Sequence, residues 1–274
     1  MKKNFFGIIA GSGEIPHYII NELSAQNTPF CVVSVGGLFK RDNNSEILCN
    51  EFSIGQVSGI LNFLHSNNVT KLCLVGKVTK PKFSELKVDL KGSVLLAQIG
   101  KNKLLGDDNI LRTVISFIEK HDIEVISALD ICDKLIMQDR GLYTKSKLYK
   151  DFEADVNITK DLHHDLAKFD IGQSLIMQDK RIIGIEGSEG TDNLIKRCEP
   201  YIDVKNRKPA ILAKFAKKNQ DLRVDLPTIG LQTLQNMVRA NIKILLVDSK
   251  NTLFVNKQEV LSFANENKIL IYGI

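Results

Sequence analysis

The residues with the most chemical potential lie between Lys214 and Gly230. Lys214, Lys217 and Lys218 give way to Gln220, Asp221, Arg223 and Asp225, and Pro227, Thr228, Ile229 and Gly230 follow. Asp221, Arg223 and Asp225 are spaced two apart, so an extended backbone would set all three on one face. Two carboxylates and a cation on one face suit phosphoryl chemistry. The carboxylates hold a metal ion or orient water, and the cation offsets charge in the transition state. The plain alternative is an exposed edge strand with alternating charges. A second stretch, Gly184 to Asp192, holds three glycines and three carboxylates (Glu186, Glu189 and Asp192) in nine residues. Flexible backbone with hard oxygen ligands suits Mg²⁺ or hydrogen bonds to sugar hydroxyls.

Further candidates lie upstream. Gly11-Ser12-Gly13 ends an apolar run and opens a helical pattern at Pro16, and such a turn offers backbone N–H groups to an anion. It is not a dinucleotide fingerprint. Pro16 stands where the third glycine would pack helix on strand, and the next apolar run ends in Ser34-Val35-Gly36-Gly37, with no acid to hold a ribose. Gly76 and Lys77 end a third run. Lys77 would sit beside the first loop if both strands finish at the same edge. Gly106-Asp107-Asp108 could hold a metal, although capping a helix explains both carboxylates. The histidines carry little: His163 and His164 are neighbours, so on a helix they point about 100° apart. No G-x-S-x-G, H-E-x-x-H or P-loop pattern occurs.

These groups need elements to position them. Strand-like and helix-like runs alternate over the first half. Strands are expected at 5–10, 30–35, 71–75 and 123–127, and helices at 15–25, 56–65 and 105–120. That order predicts a parallel sheet covered on both faces. The pattern weakens around 132–164, which separates a Rossmann-like domain, 1–135, from a second α/β domain with a mixed sheet, 136–274. In the second domain, 173–178 and 181–186 flank Asp179-Lys180 as a hairpin. Strands at 210–215, 242–247 and 269–272 alternate with helices at 191–198, 231–241 and 257–267. The pentapeptide LIMQD occurs at both Leu135 and Leu175, with different flanks, and reads as coincidence.

The 274 residues are 43% hydrophobic and 25% charged with net charge +5, as in a globular protein and not a dedicated nucleic-acid binder. The apolar start is too short for a signal peptide, and no run approaches the ~20 apolar residues of a membrane span. A cytoplasmic protein is expected. The five cysteines form no C-x-x-C pair and read as reduced and structural.

Six motifs occur in order: GIIAGSGEIP from Gly7, Gly76-Lys77-Val78, Gly106-Asp107-Asp108, Asp170-Ile171-Gly172-Gln173, Glu186-Gly187 with Glu189-Gly190-Thr191-Asp192, and QDLRVDLPTIG from Gln220 to Gly230. Together they resemble the UDP-2,3-diacylglucosamine pyrophosphatase family of the LpxI type, from about residue 5 to the C-terminus. The resemblance implies hydrolysis of UDP-2,3-diacylglucosamine to UMP and 2,3-diacylglucosamine 1-phosphate, with Mg²⁺ or another divalent ion such as Mn²⁺ assisting. It also implies two α/β domains with the substrate between them, and an essential aspartate at Asp225. On that basis Asp225 and Asp221 are the catalytic candidates, and Asp225 and Asp192 the metal candidates. Gly11, Ser12, Gly13, Gly76, Lys77, Asp170, Gln173, Glu186, Gly187, Thr191, Lys214, Gln220 and Arg223 are the substrate-binding candidates. The expected partners are that substrate and, transiently, the inner face of the inner membrane. A homodimer is allowed, and nucleic acid is not expected. The rival readings are a non-catalytic binder of UDP-sugars or acyl lipids and a nucleotide-dependent oxidoreductase.

Overall fold

The computed structural model describes residues 5–40, 47–78, 86–101, 107–147, 152–166, 172–217 and 220–274. Gly106, Asp170, Lys218 and the side chains of Asp107 and Asp108 lie outside that description. The chain forms two compact units, Met1–Asp133 and Lys134–Ile274.

The first unit runs β1 (Phe5–Ala10), α1 (Ile15–Ala25), β2 (Phe30–Val35), β3 (Cys49–Phe52), α2 (Val57–Ser66), β4 (Val69–Val75), α3 (Leu90–Lys101), α4 (Asp107–Glu119), β5 (Glu124–Ile126) and α5 (Ala128–Ile131). Its strands are all parallel, in the order β3-β2-β1-β4-β5. The chain leaves β1 to one side for β2 and returns to the other side for β4. That is the switch point at whose carboxyl end open α/β sheets bind ligands. β1 is apolar because strands flank it on both sides and helices cover it; Ile8 and Ala10 are wholly buried. The edge strand β3 was not expected. Its Cys-Asn-Glu-Phe sequence exposes Asn50 and Glu51 and lacks the apolar run of a central strand.

Asp89 joins α2 to α3. Its Oδ2 accepts the N–H groups of Ser58 (2.7 Å) and Gly59 (3.4 Å) in the first turn of α2, and its Oδ1 accepts Gly92 N–H (2.8 Å) in α3. One carboxylate thus caps one helix and steadies the next. Between the sheet and α2, α3 and α4 lies a cavity of about 410 Å³, lined, among the described residues, by Gly, Val, Ile, Leu and Phe.

The second unit runs β6 (Gly141–Leu142), α6 (Phe152–Leu166), β7 (Ser174–Gln178), β8 (Arg181–Ile185), α7 (Thr191–Cys198), β9 (Ala210–Lys214), β10 (Thr228–Ile229), α8 (Leu231–Arg239), β11 (Ile242–Val247), β12 (Leu253–Phe254), α9 (Lys257–Glu266) and β13 (Leu270–Gly273). Its main sheet has the order β6-β13-β11-β9-β7-β8. β13, β11 and β9 are parallel, whereas β6, β7 and β8 each run against their neighbour. β10 and β12 pair separately in parallel. The β7–β8 hairpin turns at Asp179 and Lys180, both with positive φ (46° and 65°), as a turn matched to strand twist requires. Both faces are packed. Leu194, Leu234, Met237 and Val260 of α7, α8 and α9 cover one, and Phe152 and Val156 of α6 meet Leu175, Met177 and Leu246 on the other. No helix among the described residues is long and apolar enough to cross a membrane.

Candidate functional site

In the second unit, antiparallel pairing sets Ser174, the first residue of β7, opposite Lys214, the last of β9. One sheet edge therefore collects the start of β7 and the carboxyl end of β9, and Phe215, Asp225 and Thr228 are bonded to it. Phe215 N–H donates to Gln173 O (3.0 Å). The Gln173 side chain donates from Nε2 to Asp225 Oδ1 (3.2 Å). Lys214 is 9% exposed and donates from Nζ to Thr228 O (2.9 Å), tying the end of β9 to the D-x-P-T-I-G segment.

The expected extended face at Asp221, Arg223 and Asp225 does not exist. The segment is a tight turn in which Val224 and Asp225 N–H both donate to Asp221 O (3.1 Å each). The Asp221 carboxylate takes Arg223 N–H (3.1 Å), Nε (3.0 Å) and Nη2 (2.8 Å). An aspartate that bonds the N–H two residues on closes a turn in place of a strand. Asp221 thereby locks the Arg223 guanidinium, while Asp225 points to Gln173. Gln220 is buried. Its Oε1 accepts Lys217 N–H (2.9 Å), and its Nε2 has no hydrogen-bond partner among the described residues. A buried donor without a partner carries a desolvation penalty that an incoming oxygen would remove.

A second cluster continues along the same edge. Thr191 donates to Glu186 Oε2 (3.1 Å) and so accepts from Ser174 Oγ (3.1 Å). Gly172 N–H donates to Glu186 O (2.8 Å). A Cβ at Gly172 would lie 2.4 Å from Glu186 Cγ, so only glycine fits there. Gly187 N–H donates to Glu189 Oε2 (3.0 Å). Asp192 Oδ1 accepts Asn236 Nδ2 (2.8 Å), joining α7 to α8.

In the first unit the Gly11 and Gly76 loops are stitched by backbone. Gly11 N–H donates to Val75 O (2.8 Å), Ser12 N–H to Lys77 O (2.9 Å), and Lys77 N–H to Ser12 O (2.8 Å); Ser12 Oγ adds a bond to Lys77 O (2.9 Å). The approach is close enough that a Cβ at Gly11 would meet Lys77 O at 2.7 Å. The N–H groups of Gly11 and Ser12 are therefore occupied. Those of Gly13, Glu14 and Ile15 head α1, beside the exposed Lys77 side chain.

Among the described residues, no group of three or more His, Cys, Asp or Glu side chains is arranged to hold a metal ion. Mg²⁺ seldom uses such a cage. It takes one or two carboxylates and completes its shell with water and substrate phosphates. Asp225, with one oxygen steadied by Gln173, fits that open kind of site.

Several contributors carry no sequence signal. Ser174 and Asn236 are ordinary polar residues until the fold brings them to Thr191 and Asp192. His163 lies edge-on to Phe215 (5.0 Å between ring centroids) and hydrogen-bonds backbone at Gln173. Burial holds its pKa below the usual histidine value, ahead of the opposing Gln173 bond and the neighbouring His164.

Two family models match the chain: the LpxI N-terminal domain over residues 6–135 and the LpxI C-terminal domain over residues 139–272. A relative from Caulobacter vibrioides, described as UDP-2,3-diacylglucosamine pyrophosphatase LpxI, is 26% identical over 272 residues, covering 98% of this chain and 96% of the relative. The chain belongs to the LpxI family.

Proposed function

We propose that this protein hydrolyses the pyrophosphate of UDP-2,3-diacylglucosamine to UMP and 2,3-diacylglucosamine 1-phosphate in lipid A biosynthesis, working at the inner face of the inner membrane. The observation that carries this reading is Asp225 held by Gln173, in a segment whose buried Gln220 amide has no hydrogen-bond partner among the described residues. This edge has a carboxylate in a fixed position and a buried donor without an acceptor among the described residues.

In the proposed reaction water attacks the phosphorus on the uridine side. The new P–O bond forms as the bridging P–O bond breaks, and 2,3-diacylglucosamine 1-phosphate leaves. A pyrophosphate diester carries two negative charges that repel a nucleophile. Mg²⁺ or Mn²⁺ would supply charge neutralisation. Asp225 would hold that ion or orient the water, and both roles need its carboxylate fixed. Asp221 acts through Arg223, whose guanidinium it grips at two points and presents to a phosphate oxygen. Gln220 Nε2 donates to a substrate oxygen. Glu186, Gly187 and Thr191 receive sugar hydroxyls, with Asp192 as a helper. Lys77 and the head of α1 attract anionic groups.

The test is hydrolysis in H₂¹⁸O with and without EDTA. The expected result is ¹⁸O in UMP, with turnover lost to the chelator and restored by Mg²⁺ or Mn²⁺. Label in the sugar phosphate would overturn the point of attack, and EDTA-resistant turnover would remove the metal.

A further inference from the structure

We infer that His163 is a positioning residue of the second unit's site: its ring fixes the main chain at Gln173 and, through the Gln173 side chain, the Asp225 carboxylate. This rests on the reading that Asp225 serves the proposed hydrolysis. The path is made of successive contacts. His163, in the last turn of α6, stands edge-on to Phe215, with 5.0 Å between ring centroids and 86° between planes. Its ring also hydrogen-bonds backbone at Gln173. That bond favours the protonated ring, as a backbone carbonyl does and a backbone N–H does not, so a ring N–H donates to Gln173 O. The same oxygen accepts Phe215 N–H (3.0 Å). A carbonyl has two lone pairs, and two donors hold this one just before β7. From there the Gln173 side chain reaches Asp225 Oδ1 (3.2 Å).

Packing alone does not call for a histidine here. Phe152 and Val156, with Leu162 and Leu166 beside them, already seat α6 on the cluster that contains the buried Phe215. An imidazole brought against that ring loses hydration and needs a hydrogen bond in return. An apolar side chain would fill the place without that need. The bond His163 makes goes to the residue whose side chain steadies Asp225. His164, its neighbour, is exposed and faces Asp165 (3.9 Å), which makes it the control.

His163→Phe keeps a ring on Phe215 and removes the donor; His163→Leu removes the donor with a smaller side chain, in case the new ring does not pack. These variants, His163→Gln, Gln173→Ala, His164→Ala and the double variant His163→Phe with Gln173→Ala are compared as full-length proteins. UMP release from UDP-2,3-diacylglucosamine with Mg²⁺ and the melting transition are followed. The expected result is a kcat about tenfold lower in His163→Phe, with KM and melting temperature near those of wild type, and partial recovery in His163→Gln. His163→Phe should add nothing to Gln173→Ala, because the path is already cut. Wild-type kcat in a folded donorless variant, or a loss that adds in full to that of Gln173→Ala, would overturn the inference. A second readout needs no turnover. In protein labelled with ¹⁵N at glutamine side chains, the Gln173 amide, assigned by its loss in Gln173→Ala, should gain fast mobility by ¹⁵N relaxation in His163→Phe and not in His164→Ala. Unchanged mobility would also overturn the inference. Increased mobility in a protein whose wild type releases no UMP would support the positioning role and overturn the proposed reaction instead.

Discussion

The two units share an α/β construction and use it differently. In the second unit, side chains converge on the carboxyl edge of β9: Gln173 on Asp225, Asp221 on Arg223, Thr191 on Glu186 and Ser174. Both faces of that sheet are packed. In the first unit the equivalent edge is closed by backbone, through the Ser12–Lys77 bridge, and the space lies behind it, between sheet and helices. A polar network needs fixed partners, because each unpaired buried group is penalised. An apolar recess needs only shape. The difference teaches that the second unit fixes a polar network on its sheet edge, whereas the first closes its edge with backbone and keeps an apolar recess behind it.

Substitutions can break or sharpen this contrast. The largest effect below Asp225 itself should come from Gln173→Ala. Losing the amide that steadies Asp225 should lower kcat by about 10- to 100-fold with little change in melting temperature. Kinetics indistinguishable from wild type would make that bond incidental. Gly172→Ala comes next. The added methyl would push Glu186 away from its place and destabilise the protein by about 1–3 kcal/mol, measured by urea unfolding. An unchanged midpoint would mean the approach of Gly172 to Glu186 relaxes freely.

The smallest effect belongs to the first unit. Asp89→Ala removes the cap shared by α2 and α3 and should cost about 1 kcal/mol while sparing turnover of a short-chain substrate. Its pH dependence has a defined sign. Burial raises the Asp89 pKa, but hydrogen bonds from Gly92, Ser58 and Gly59 outweigh it and hold the group below its ordinary 3.8. The stabilisation is therefore complete above that ordinary value and fades as pH falls through the lower folded value. The gap between wild type and Asp89→Ala should narrow in acid. A gap constant through that range would show that the charge does not matter.

Much of the fold is legible where burial is simple. β1, β2 and β11 are apolar runs because strands and helices enclose them, and Asp179-Lys180 marks its hairpin. Legibility fails where neighbours decide. The edge strand β3 lacks an apolar run. The pentapeptide LIMQD forms most of β7 at Leu175, yet at Leu135 it begins in a short 3₁₀ turn, so its conformation comes from its surroundings. At the site, residue types were legible but geometry was not. Asp221, Arg223 and Asp225 stand out as a set, but local bonds from Arg223 to Asp221 favour a turn over the extended face that their spacing predicts. His163 is the converse: nothing in the sequence separates it from His164, and only packing on Phe215 brings it to the site.

The most direct measurement compares wild type with Asp225→Ala on UDP-2,3-diacylglucosamine with Mg²⁺, following UMP release and, by calorimetry, substrate binding. The expected result is UMP from wild type and a loss of about 10²–10³-fold or more in the variant, with binding retained. Equal turnover by the two proteins would contradict the assignment of the chemistry to this edge.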